Sequence, residues 1–233
     1  MQRRYLQGTL DFACGIYAVV NALACAHGLD LAGARYVFQE TLSSLSEEPV
    51  LWKSFLRNET DHYWLVRYML QRWCREQPWE LVARQPFSDC LLPGGGEPEL
   101  AEVEMFLPEK ENDAGPVQPE KARKEAESVW RTLEEWFQGQ NEGKFRRPAL
   151  LRFHRFLYHD FQPVVSHWTT ARTISGGSLL LHDASSERNA LLALDKHSLL
   201  PENGDRGLIR IVPESLVLLE PKRTVKAFYG NAD

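Results

Sequence analysis

The sequence predicts an α+β domain, a helical N-terminal half packed on a C-terminal antiparallel β-sheet. Two observations carry that prediction. Apolar residues recur at helical spacing near the N-terminus, as in Ile16, Val19, Val20 and Leu23. After Gly143 the pattern changes to β-branched and aromatic runs broken by turn residues. A chain of 233 residues that is 43% hydrophobic and 11% aromatic can bury a real core, so a single domain over 1–233 is expected. Its formal charge of −5 argues against nucleic acid as a partner.

The elements follow in order. A first helix starts at Cys14 and stops near His27, with Gly28 in the position that accepts a left-handed backbone. Asp30 caps a second helix running to about residue 42, with Leu31, Ala34, Val37, Phe38 and Leu42 on its apolar side. A loop through Glu47, Glu48 and Pro49 is expected next. The spacing of Trp64, Leu65, Tyr68, Met69 and Trp73 predicts a third helix over 61–76, stopped by Pro78. From 94 to about 126 the chain is rich in Pro, Gly, Glu and Lys and reads as a mobile acidic insertion. A basic protein partner could dock there, although a solvated surface is the plainer reading of such charge. A helix ending at Gln138 follows, with Val129, Trp130, Leu133, Trp136 and Phe137 as its apolar side. Strands are predicted over 149–156, 164–174, 178–182 and 208–212, with another over 215–219.

Cys14 stands at the start of the first helix, where a thiol is chemically useful. The unpaired N–H groups and the positive dipole end favour thiolate over thiol, lowering a cysteine pKa from its free value of about 8.5. Gln7, shortly upstream, can offer its amide beside the sulfur. With the backbone N–H of Cys14 it would form an oxyanion hole. In the second half, Ser175-Gly176-Gly177 turns the chain between a strand opening on Ser166-His167-Trp168 and one ending in His182-Asp183. If the turn centres on Gly176, Asp183 pairs opposite Thr169 and shares a face with His167, while His182 points to the other face. A one-residue slip would reverse that arrangement. An imidazole oriented by a carboxylate is the second half of a Cys-His-Asp triad. Taken singly, Cys14 reads as a small core residue, His167 as a sheet histidine and Asp183 as a strand-end turn former.

The segments QGTLDFACGIYAVVNAL and SHWTTARTISGGSLLLHDAS resemble the papain-like cysteine peptidase superfamily, and in flavour the peptidases that trim double-glycine leaders. They cover under a fifth of the chain. The resemblance implies a papain-like fold, with Cys14 as nucleophile, His167 as general base and then acid, Asp183 as its orienter and Gln7 as oxyanion donor. One more residue separates Gln7 from Cys14 than is usual in that family. The implied activity is thiol-dependent cleavage of a peptide or isopeptide bond through a thioester, on a protein or peptide substrate. An acyltransferase or amidase on the same fold, or a catalytically silent scaffold that binds a protein partner, remains open.

No cofactor and no metal are expected. His154, His159 and Asp160 fit no common zinc spacing. Gly94-Gly95-Gly96 lacks the lysine and the preceding strand of a phosphate loop. No run approaches the ~18 uncharged apolar residues of a membrane span, and the start of the chain does not read as a signal peptide. The cysteines at 14, 25, 74 and 90 have no CxxC spacing, so reduced thiols and a cytoplasmic location are expected.

Overall fold

The computed structural model describes residues 13–57, 63–74, 79–88, 119–138, 146–156, 165–183, 192–200 and 209–222. Gln7, Cys90 and most of the stretch read as an insertion, 94–118, lie outside the described residues. Within them the chain is α+β, with all strand pairs antiparallel.

Helix α1 (Cys14–His27) is buried almost all round, from Gly15 and Ile16 through Ala26. A helix apolar on every side belongs inside a molecule rather than on its surface. Its end is set by Gly28 at φ 70°, whose N–H donates to the Ala24 carbonyl at 3.0 Å. Asp30 Oδ1 then accepts from the Gly33 N–H at 2.8 Å, capping helix α2 (Leu31–Ser46). α2 runs past the expected end near 42 because its buried stripe continues through Ala34, Val37, Thr41 and Leu45. Leu31, expected on the apolar side, flanks that stripe and is 38% exposed.

Two elements replace expected loop or helix. Pro49 begins helix α3 (Pro49–Arg57) instead of lying in a loop, since proline's fixed φ suits a first helical position where its missing N–H costs nothing. The Trp52 N–H closes that turn on the Glu48 carbonyl at 2.9 Å. Helix α4 (Tyr63–Trp73) buries Trp64, Leu65, Met69 and Trp73 as the spacing predicts. Strand β1 (Leu81–Arg84), in a stretch to which the sequence assigns no element, then pairs with the last strand, Leu81 opposite Pro221. Four residues are too short a run for a period to show.

Helix α5 (Pro119–Phe137) starts inside the predicted insertion, so residues 119–126 are ordered helix. The glutamates there are paired. Glu120 meets Lys124 at 3.0 Å, and Glu125 meets Arg210 at 2.9 Å. Strands β2 (Ala149–Arg155), β3 (Val165–Ser175) and β4 (Ser178–His182) lie close to their expected bounds. Strand β5 (Ala193–Asp195) and the single turn α6 (Lys196–Leu199), capped by Asp195, had no sequence signal of useful length. Strands β6 (Ile209–Ile211) and β7 (Val217–Pro221) complete the sheet, ordered β1-β7-β2-β3-β4-β5 with β6 also on β2.

Both faces of the sheet are covered. Leu150, Trp168, Val217 and Leu219 join the core under α1 and α4. Their strand neighbours Ala149, Leu151 and Leu218 join a second core with Val129, Trp130 and Leu133 of α5. Period-two alternation thus sends successive residues into different cores. This is why β2 reads as a continuous apolar run, Ala149-Leu150-Leu151, rather than alternating with polar residues. The sequence placed helices on one side; the structure adds α5 on the other.

β6 and β7 flank the same edge of β2 and are separated by a 3₁₀ turn at Pro213–Ser215, where 215 was expected to begin a strand. The turn removes a ladder bond, and the Ser215 hydroxyl replaces it. Its Oγ accepts from the Arg152 N–H at 2.8 Å and donates to the Val212 carbonyl at 2.6 Å, fully buried. Leaving that N–H unsatisfied costs about 1–3 kcal/mol. Ser215→Ala is therefore expected to lose stability in that range by urea unfolding, whereas Ser54→Ala, whose hydroxyl has no hydrogen-bond partner among the described residues, loses less.

Candidate active site

Cys14 is the first residue of α1 and is half-buried. The residue before it, Ala13, provides no side-chain cap, and the first turn holds no acidic side chain to neutralise the dipole. The Cys14 side chain hydrogen-bonds the imidazole of His167. His167, near the start of β3 and only 9% exposed, places Nε2 2.7 Å from Oδ1 of Asp183. Asp183 follows β4 directly and is fully buried. A carboxylate only accepts, so Nε2 carries its hydrogen toward Oδ1 and Nδ1 is left for the sulfur. The ring edge also rests on Phe153, its cross-strand partner on β2, with centroids 5.6 Å apart.

These contacts decide the charge of the imidazole. Burial, the largest influence, disfavours imidazolium, but the hydrogen bonds to Asp183 and Cys14 and the charges on both outweigh it, raising the His167 pKa to about 9. A protonated ring between a sulfur and a carboxylate is an ion-pair arrangement suited to holding a thiolate.

The register of the β3–β4 hairpin brings Asp183 to that ring, by a route the sequence did not show. The turn does not centre on Gly176. It is a two-residue turn with Gly176 at φ 58° and Gly177 at φ 79°, and Ser175 pairs with Ser178. Two consecutive positive φ values make glycine the natural residue at both places. Regular pairing from that turn would set Asp183 opposite Thr170, on the face away from His167. An irregularity between Ala171 and Thr173 shifts the register, so Ala171 pairs with Leu181 and Thr170 with His182. Extending by one residue sets Asp183 against Thr169, on His167's face. The bulge decides which of His182 and Asp183 meets the His167 imidazole.

Cys14, His167 and Asp183 are thus drawn together from a helix terminus and two strands; Gln7 lies outside the described residues. Beside them, Trp168 packs edge-on against Tyr63 at 5.1 Å. The buried Arg152 sets its guanidinium 5.2 Å from the Tyr63 ring and donates from Nε to Ser166 Oγ at 2.7 Å. The sequence reading passed over Arg152 and Tyr63, because an arginine inside an apolar strand and a tyrosine at a helix start have no motif. His154 faces no metal-type cluster, and no group of three metal-ligating side chains occurs among the described residues. No described helix is long and apolar enough to cross a membrane. Cys14, Cys25 and Cys74 are thiols rather than disulfides. No protein-family model, curated protein or solved structure matches the chain.

The raised His167 pKa has a stability consequence of definite sign. The folded value, about 9, lies above the ordinary 6.5, so the contribution is complete below about pH 6.5 and is lost as pH rises through 9. Urea midpoints are expected to fall across that window, and the fall to flatten in Asp183→Asn. An NMR titration should place the His167 ring near 9 in the parent protein and well below that in the variant. Titration of the parent ring at the ordinary value would contradict the arrangement.

Proposed function

We propose that this protein is a thiol-dependent hydrolase of papain-like type that cleaves a peptide or isopeptide bond through Cys14, His167 and Asp183. The observation that carries the reading is the continuous hydrogen-bonded chain from the Cys14 side chain through His167 to Oδ1 of Asp183 at 2.7 Å. A nucleophile, a base within hydrogen-bond reach and a third group orienting the base constitute the geometry of covalent acyl transfer.

The steps follow from that geometry. Below about pH 9 the Cys14 proton already sits on Nδ1 of His167, and the thiolate of that ion pair attacks the carbonyl carbon of the substrate amide. The carbonyl electrons move onto oxygen, where the Cys14 backbone N–H and the Gln7 amide are the proposed donors. The tetrahedral adduct collapses, the C–N bond breaks, and the imidazolium gives its proton to the departing amine. Water then attacks the thioester, passing a proton to Nδ1. Breaking the C–S bond releases a carboxylic acid and restores the pair of Cys14 thiolate and protonated His167. Asp183 takes no proton; it holds the ring by Nε2 and stabilises the imidazolium that forms in each half.

Selectivity among the cysteines supports the assignment of the nucleophile. Burial pushes the Cys25 and Cys74 thiols up to about 12, which leaves them protonated and unreactive at neutral pH. Iodoacetamide labelling of the folded protein, read by peptide mass spectrometry, is expected to modify Cys14 well before either, and to slow sharply in His167→Ala. Incubation with a peptide library should give cleavage products that vanish in Cys14→Ala. Gln7→Ala is expected to retain more activity, losing roughly 10²–10³-fold as for one oxyanion donor. Turnover undiminished in Cys14→Ala would overturn the mechanism. Selective labelling without any cleavage would favour a scaffold that keeps the residues but not the activity.

A further inference from the structure

Because α1 is apolar on nearly every side, burial alone cannot fix its rotation about its own axis. Any rotation would still bury alanine, valine, leucine or isoleucine. Cys14 meets His167 only at one rotation, so something directional must select it. The polar contacts of α1 with the β3–β4 hairpin are directional. Thr170 Oγ1 donates to the Ala18 carbonyl at 2.6 Å. Asn21 Nδ2 donates to the His182 carbonyl at 3.4 Å. Cys25 Sγ lies 3.3 Å from Nδ1 of His182.

The spacing makes these contacts one device. Cys14, Ala18, Asn21 and Cys25 fall at offsets of four, three and four, which is a single stripe along a helix. The whole stripe faces the hairpin: Cys14 on His167, Ala18 on Thr170, Asn21 and Cys25 on His182. Asn21, Cys25, Thr170 and His182 are all buried, where a lost hydrogen bond is not replaced by water. Buried polar groups are known to select register in packed helices, sometimes at a cost in stability. Ala18 and Cys25 are also small, so the helix approaches the strands closely.

We propose that Thr170, Asn21, Cys25 and His182 are positioning residues that set the rotation and axial register of α1, so that the Cys14 sulfur faces His167. This rests on the reading of Cys14 and His167 as a reactive pair. It adds a second role for the hairpin, whose one face carries His167 and Asp183 while its other face grips the helix. The bulge between Ala171 and Thr173 serves both, because the register that turns Asp183 to His167 turns His182 to Cys25.

The test is the pH dependence of Cys14 alkylation by iodoacetamide. Cys25→Ala/His182→Leu removes both partners of one contact, so neither is left orphaned, and Thr170→Val removes the hydroxyl in nearly the same volume. Combined, they are expected to leave a cooperatively folded protein whose Cys14 profile moves toward that of an ordinary thiol, by about one pH unit or more. At mildly acidic pH this is about a tenfold or greater loss of labelling rate. Should the combined variant not fold, Thr170→Val alone is expected to shift the profile in the same direction, with Thr170→Ser restoring it. A profile superimposable on the parent's in folded variants overturns the positioning role while leaving the proposed function standing. A parent profile that is that of an ordinary thiol and unchanged by His167→Ala overturns the proposed function, and the positioning role with it.

Discussion

A carboxylate with no solvent exposure must be compensated where it lies, and the His167 ring compensates Asp183 at 2.7 Å. Removing one member of such a buried pair costs about 3–5 kcal/mol, because the buried charge left behind loses that compensation and gains no water. That requirement ties the end of β4 to the start of β3, and so fixes which side of the hairpin carries the imidazole. It also holds the ring protonated to about pH 9, against burial that works in the opposite direction. The reactive character proposed for Cys14 depends on both consequences.

The sheet meets that demand with unequal faces. One packs on α5 through Leu151, Ala171, Leu181 and Leu218, with the Glu125–Arg210 ion pair joining α5 to β6. The other receives α1, and there apolar packing through Leu150 and Trp168 is mixed with a hydrogen bond donated by Thr170 and others in which His182 takes part, its carbonyl accepting from Asn21. Non-directional packing holds the helix against the sheet; directional bonds choose how it is turned. A site that needs a sulfur within hydrogen-bond reach of a ring requires the second kind of contact as well as the first.

Interruptions of regular structure do comparable service elsewhere. The bulge in β3 re-aims two consecutive residues of β4, and the 3₁₀ turn between β6 and β7 bends one edge of the sheet around β2. Each leaves backbone groups off the regular ladder. At the second, the Ser215 hydroxyl supplies the missing bond to Arg152, so the irregularity carries no orphaned donor there.

Residue types and spacing by themselves determined the longer elements: α1 with its Gly28 stop, the Asp30 cap, the stripes of α4 and α5, and strands β2 to β4. In each, several residues repeat one period and reinforce one another. They also determined which side chains were candidates, since a cysteine at a helix start and a His…Asp pair across a diglycine hairpin are visible as text. Short elements such as β1, β5 and α3 escaped because too few residues express a period, and Pro49 reads equally well as a loop or a helix start. Asp183's position opposite Thr169 was expected on a turn geometry that the structure does not have; the bulge restores the outcome. That correction, the coverage of both sheet faces and the rotation of α1 belong to tertiary structure. Each depends on a contact between residues far apart in sequence, such as Cys25 with His182, and local periodicity carries no information about which distant partner a buried polar group will find.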